Sequence, residues 1–191
     1  VALALLRNNE SLESRLVSNL YGEIDLIEGL KFRSEFSTDF STLRSSAFLP
    51  TYEWGQIVNN ISQLGQQSNQ NLFWLWKNFA TYQTKFGKHD LTTMLGTESQ
   101  RSSWEGITSY KVNLPNDIQV MNQGEISNIP NTGFKGWSSL TSFFLRGNYN
   151  FDDRYLVTAT IRRDGSSRFG PNNRWGWFPS VSFAWRALNE A

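Results

Sequence analysis

From Leu30 to Ser41 the side chains alternate in kind. Leu30, Phe32, Ser34, Phe36, Thr38 and Phe40 share one parity, and Lys31, Arg33, Glu35, Ser37, Asp39 and Ser41 share the other. A helix would scatter both sets around its circumference, whereas a strand sends successive Cβ atoms to opposite faces. The preceding segment behaves alike, with Leu16, Ser18, Leu20, Gly22, Ile24 and Leu26 opposing Arg15, Val17, Asn19, Tyr21, Glu23 and Asp25. Between them Ile27-Glu28-Gly29-Leu30 predicts a tight turn, with glycine where a positive φ carries no steric penalty.

The same cadence predicts further strands over 72–86, 91–100, 140–150, 155–163 and 175–186, about seven in all. Short turns are expected at 87–90 and 151–154. Long polar and aromatic connections are expected over 42–71, 101–138 and 164–174. Loops beyond about 12–15 residues are uncommon in compact domains and are usually functional when ordered. No sequence repeat beyond the strand cadence, no low-complexity tract and no linker divides residues 1–191.

Composition narrows the chemistry. Lys and Arg number 18 against 17 Asp and Glu, a net charge of +1, which gives no strong electrostatic basis for binding nucleic acid or an anionic membrane surface. There is no cysteine, hence no disulfide frame, thiolate metal site or thiol nucleophile. The single histidine, His89, leaves little for a histidine-based relay or metal centre, and no cofactor is expected. No run approaches the roughly 18–20 apolar residues of a membrane-spanning helix. Val1 to Leu6 is apolar but short, and both ends read as cut from a longer chain.

Two environments suit long amphipathic hairpins. One is a soluble or surface-attached β-sandwich that binds carbohydrate through loop aromatics. The other is a membrane β-barrel, apolar face toward lipid and polar face toward a wet interior. Three features favour the second. The expected strands run to about 10–14 residues, against about 5–6 in soluble sheets and about 9–11 for a membrane crossing. Full charges stand in mid-strand, with opposite signs on neighbouring strands. Aromatics such as Phe86, Phe151, Tyr155, Trp175 and Trp177 mark strand ends, where a membrane–water boundary would lie. Barrels of this kind use even strand numbers, eight or more, so about seven strands imply part of a larger barrel.

The C-terminal third carries a resemblance. Arg162-Arg163-Asp164-Gly165-Ser166-Ser167-Arg168-Phe169-Gly170, then Asn173-Arg174-Trp175-Gly176-Trp177-Phe178-Pro179-Ser180-Val181-Ser182-Phe183-Ala184-Trp185-Arg186, is similar to the barrel of SusC/RagA-type TonB-linked outer-membrane transporters of Bacteroidetes. Weaker echoes are Gly29-Leu30-Lys31-Phe32-Arg33, and Phe86-Gly87-Lys88-His89-Asp90-Leu91 before Leu95-Gly96-Thr97-Glu98. The resemblance implies an all-β antiparallel meander within a barrel of about 22 strands. It also implies a plug domain and a TonB-contacting segment, neither found in this sequence. A SusD-type surface lipoprotein as partner, outer-membrane localisation and import of oligosaccharides or peptides are implied as well.

Individual residues follow from that frame. Lys31, Arg33, Glu35, Asp39, Arg146 and Arg162 are expected on the wet face. Glu23, Asp25, Glu35 and Asp39 do not read as a glycosidase pair, because nothing sets two of them across a cleft and Lys31 and Arg33 are at hand as partners. Arg162, Arg163, Asp164, Arg168 and Arg174 read either as an ion-paired cluster at the outer mouth that contacts ligand or lid, or as loop scaffolding in which Asp164 accepts from Arg168 or Arg174. Trp54, Trp104, Trp137 and Arg168 are candidate contacts for ligand or partner. The tryptophans either stack on sugar or peptide, or pack on one another to order the loops. His89 is expected to serve a tight turn. Gly165, Gly170 and Gly176 precede no helix and form no phosphate loop. No catalytic or metal-binding constellation is present, so an enzyme is not expected.

Overall fold

The computed structural model describes residues 8–115 and 118–190; the apolar start Val1 to Leu6 lies outside them. Among the described residues there are ten strands: β1 (Asn8–Ile27), β2 (Leu30–Leu49), β3 (Tyr52–Trp54), β4 (Ile57–Asn59), β5 (Gln63–Phe86), β6 (His89–Val112), β7 (Glu125–Ile126), β8 (Thr132–Phe151), β9 (Tyr155–Ser166) and β10 (Trp175–Trp185). The long strands hydrogen-bond in the order β1-β2-β5-β6-β8-β9-β10, with β7 added to β6, and β3 and β4 form a separate ribbon. The order is a meander. Each strand expected from the alternation is present.

Several strands are longer than the alternation indicates. β1 and β2 have 20 residues each, and β5 and β6 have 24. The expected loops 42–71 and 101–138 are therefore largely strand. Segments such as Gln66-Gln67-Ser68-Asn69-Gln70-Asn71 are polar on both parities, so the period-two signal vanishes while the backbone ladder continues. The C-terminal end, which reads as a turn, is a short 3-10 segment, Ala187–Glu190.

The chain divides into two compact units. The first comprises Val1–Leu16, Asp39–Leu72 and Ser103–Trp137. It contains the ribbon, whose tip turns at Gly55 (φ 59°) and whose base is tied by Asn59 Nδ2 donating to Pro50 O at 2.7 Å and Ile61 O at 3.0 Å. It also contains all three buried hydrophobic side chains among the described residues, Phe48, Leu64 and Leu114, with Met121 packed against them. Beside them Ser62 Oγ accepts from Leu114 N–H at 2.7 Å and donates to Leu114 O at 3.4 Å. The Asn113 N–H reaches Ser62 O at 3.0 Å, with Asn113 at φ 52°.

The second unit comprises Val17–Thr38, Phe73–Ser102 and Ser138–Ala191. It holds the three tight turns and no buried hydrophobic side chain among its described residues. A carbohydrate-binding sandwich would enclose an apolar face between two sheets. Here the large hydrophobics of both units are mostly exposed, and Leu20 and Val181 each reach 76%.

The turns show why sequence and geometry agree. Gly29 sits at φ 76°, and a Cβ there would lie 2.3 Å from Gln83 O, the residue whose N–H bonds Gly29 O at 2.8 Å. At the third turn Asp152 (φ 53°) and Asp153 (φ 54°) occupy the left-handed region that short hairpins require, closed by Arg154 N–H to Phe151 O at 2.9 Å. Lys88 Nζ donates to the Asp152 carboxylate at 2.7 Å and holds its carboxyl below the ordinary carboxylate range, with Arg154 at 3.5 Å adding to the effect.

Two outcomes are expected for the full-length receptor carrying this segment. Gly29→Val combines left-handed strain with loss of the Gln83 bond and lowers stability by about 2–3 kcal/mol, read from urea unfolding in lipid vesicles. Asp152 has a lower folded than unfolded value, so its contribution is present above about pH 4 and fades as pH falls through the folded value. Asp152→Asn accordingly loses less stability than wild type on acidification below about pH 4, measured by the urea midpoint against pH.

Candidate functional site: a two-faced wall

Strand registers in the second unit define two faces residue by residue. Directly opposed residues on antiparallel strands project to the same side. One side carries six rows across β8, β9 and β10: Phe151-Tyr155-Trp185, Tyr149-Val157-Phe183, Gly147-Ala159-Val181, Leu145-Ile161-Pro179, Phe143-Arg163-Trp177 and Thr141-Gly165-Trp175. The second to fourth of these rows contain no charge and no hydrogen-bonding side chain apart from Tyr149. The opposite side carries Asn148-Thr158-Ser182, Arg146-Thr160-Ser180, Phe144-Arg162-Phe178 and Ser142-Asp164-Gly176.

Aromatic rings gather at both ends of the apolar side. Near the tight turns, His89 lies 4.9 Å from the rings of Phe86 and Phe151, and its Nδ1 is 2.6 Å from the Tyr149 hydroxyl. The histidine opens β6 and belongs to an aromatic cluster, so its structural role reaches beyond the turn expected for it. At the other end Phe143 stands 6.0 Å from Trp175, and Trp175 covers Gly165, where a Cβ would meet the indole at 2.8 Å.

The polar side is organised by ion pairs. Arg162 donates to Asp164 at 2.6 Å, to Glu98 at 3.2 Å and to the fully buried Ser142 hydroxyl at 2.8 Å. The expected pairing of Asp164 with Arg168 or Arg174 is thus replaced by Arg162. β9 runs on to Ser166 and places residues 162 and 164 on one side two positions apart. Arg146 Nε reaches Asn148 Oδ1 at 3.3 Å. A Cβ at Gly96 would meet the Phe144 ring at 2.4 Å and Phe79 Cβ at 2.7 Å, so these rings share that side of β5, β6 and β8.

On β1 and β2, Lys31 bridges Glu23 at 3.6 Å and Asp25 at 3.5 Å. Arg33 contacts Glu35 at 3.1 Å and Glu23 at 3.9 Å, and lies 3.9 Å above the Tyr21 ring. Asn19 donates to Glu35 at 2.9 Å and to Ser37 at 2.8 Å. In the first unit Arg15 binds Asp39 with two bonds of 2.9 and 2.6 Å. The other parity of β2 packs differently: Trp76 Nε1 donates to Ser34 at 3.0 Å, and Phe36 stacks near Trp74 at 6.4 Å. Each carboxylate weighed as a glycosidase candidate except Asp25 thus has an arginine within reach, and Asp25 has Lys31. No group of three or more His, Cys, Asp or Glu is placed to hold a metal among the described residues.

The aromatic candidates divide. Trp54 ends β3 at the ribbon tip and is 57% exposed. Trp104 and Trp137 are on strands β6 and β8, not in loops. The Trp104 ring lies over Gly136, where a Cβ would meet it at 2.8 Å, so Trp137, next in the strand, projects to the opposite side. Those two therefore do not pack on each other. Arg168 lies in the turn after β9, its guanidinium 3.5 Å from Ser138 Oγ. Near Phe48 a cavity of about 260 Å³ is lined by Gln63, Gly65, Tyr110, Val112 and Ile129. Glu98 and Ser142 do not stand out in the sequence, because the threonine- and serine-rich surroundings blur the faces of those segments.

A family model described as "TonB dependent receptor-like, beta-barrel" matches residues 7–191. TonB-dependent receptor P39 of Formosa agariphila is 32% identical over 175 residues, 89% of this chain and 17% of that protein. TonB-dependent receptor SusC of Bacteroides thetaiotaomicron is 36% identical over 118 residues, 59% of this chain and 11% of that protein. The solved structure of the RagAB peptide transporter superposes with a TM-score of 0.91 at 25% identity, over 98% of this chain and 21% of that one. The chain spans less than a fifth of the length of these two curated relatives. With the barrel model covering it from residue 7 onward, the chain belongs to the TonB-dependent receptor family, as a segment of its β-barrel.

Proposed function

We propose that this segment forms part of the wall and outer mouth of an outer-membrane importer. Its apolar rows would face acyl chains, and its ion-paired side would face a hydrated lumen. The observation that carries this reading is the spacing of the aromatic rows. Tyr155 and Gly165, which lies under Trp175, are separated by ten residue steps in register. At about 3.3 Å per residue that is about 33 Å of strand, and about 23–27 Å across a membrane at the usual tilt of about 35–45°. The hydrocarbon-facing band of such barrels is about 25 Å tall, flanked by aromatic girdles.

On this reading the complete protein has a barrel of about 22 strands, receives energy through the TonB complex and acts with a SusD-type lipoprotein. Oligosaccharides or peptides are its cargo, and the similarity to a RagAB peptide transporter supports the second. The role is passage and not catalysis. Lys31, Arg33, Glu35, Asp39 and Arg162, each in an ion pair, and Arg146, which donates to the Asn148 amide oxygen, keep the wall compatible with water. Trp104, on the side of the Gly136 platform, is the best placed of the aromatic candidates to meet cargo. Trp54 and Arg168, in the connections, suit the lid.

Substitution separates the two faces. Val181→Arg, at the middle row, lowers folding stability of the full-length receptor in lipid vesicles by about 2–4 kcal/mol, while Ser182→Arg, one position on, is close to neutral. Equal effects of the two changes overturn the face assignment.

A further inference from the structure

The apolar rows contain one charge, and it has no ionic partner among the described residues. Arg163 projects from β9 on the side of Phe143 and Trp177, its registered neighbours. Its guanidinium carbon lies 4.7 Å from the Trp175 ring centroid and 5.3 Å from that of Trp177. The adjacent carboxylates are committed elsewhere: Asp164 and Glu98 both bond Arg162 on the opposite side of the strand. None of the six registered rows around Arg163 includes an Asp or Glu.

An arginine facing hydrocarbon without a counter-ion is costly, and at a headgroup boundary it extends its charge toward the polar layer. Two indoles stand within 5.3 Å of the guanidinium carbon, and the glycine at position 165 lets the Trp175 ring lie close against the sheet. Trp177 is 61% exposed, Trp175 is 45% exposed, and the arginine is exposed beside them, so the donors remain open. A planar fork of N–H donors held on an aromatic shelf, at the end of an apolar band, matches one chemistry. That chemistry is a phosphate oxygen whose attached acyl chains lie along the band below it.

We propose that Arg163, Trp175 and Trp177 form a binding site for the phosphate of an outer-leaflet membrane lipid, holding that lipid against the barrel wall. The guanidinium donates to the phosphate, the indole N–H groups sit at the interface, and Val181, Ile161 and Leu145 meet the acyl chains. This rests on the lipid-facing assignment of the same rows.

The test uses the purified full-length receptor in detergent, titrated with phosphorylated lipid A and with its phosphate-free form, with bound lipid counted by native mass spectrometry. Wild type is expected to prefer the phosphorylated form by about tenfold or more. Arg163→Gln abolishes the preference, and Arg162→Gln, on the other side of the strand, retains it. Heat-modifiable electrophoretic mobility verifies that each variant is folded. Millimolar inorganic phosphate leaves lipid binding intact; displacement by it assigns the site to free anions and overturns the lipid. Equal binding of the two lipid forms, or an unchanged preference in Arg163→Gln, also overturns it. A spin label at Val181→Cys in vesicles separates the underlying assumption. A label reached by oxygen but not by a water-soluble nickel reagent keeps the lipid face, so that failure at Arg163 refutes the phosphate site alone. A water-exposed label refutes both.

Discussion

Hydrocarbon offers no hydrogen-bond partner to a peptide group, so a chain that crosses it as strands must satisfy each amide and carbonyl through the strand beside it. On the membrane placement proposed for this segment, the rest of the structure depends on that requirement. It explains the meander, in which each long strand bonds to the next in the order of the sheet. It also explains why tight turns such as Gly29 and Asp152-Asp153 are built from residues tolerant of positive φ: a loose connection would let the register slip and exchange the two faces. Among the described residues β1 and β10 each have a long strand on one side only.

Given that ladder, stability does not need a conventional interior. The second unit buries no hydrophobic side chain among its described residues, yet its apolar rows are continuous. On the proposed placement those rows would be solvated by acyl chains, and the favourable transfer that a soluble protein obtains by enclosing apolar surface would be obtained at the outer surface. The polar side is governed by pairing. Arg162 serves two carboxylates and one buried hydroxyl, and Lys31 serves two carboxylates, so charge is held in short networks on the sheet. The Lys31 pairs are exposed and add little to stability, whereas the Arg162 pairs are half-buried.

Much of this is legible in the residues. The alternation over Leu30–Ser41 identifies the strand, its hairpin partner and the charged side, and the contacts of Lys31, Arg33 and Glu35 agree with it. Strand ends are less legible. Where both sides of a strand are polar, as over Gln66–Asn71, periodicity carries no information and the backbone alone decides. The same blind spot makes Trp104 and Trp137 read as loop residues, although the Gly136 platform beneath Trp104 shows a close-packed strand pair. The partner of Asp164 is hidden because the Arg-Asp-Gly run reads as loop; once β9 extends to Ser166, the residue two positions back is the nearest cation on that side.

The Ser62–Leu114 clasp has a consequence for how such a protein changes over time. One hydroxyl and two amides join the points where two long connections leave the strands, and Phe48 and Leu64 pack beside them. A change in the segments between those points meets this hydrogen-bonded knot before it meets the strand ladder. On the proposed placement at an outer mouth, insertion, deletion or wholesale exchange in those connections would leave the alignment of the long strands unchanged.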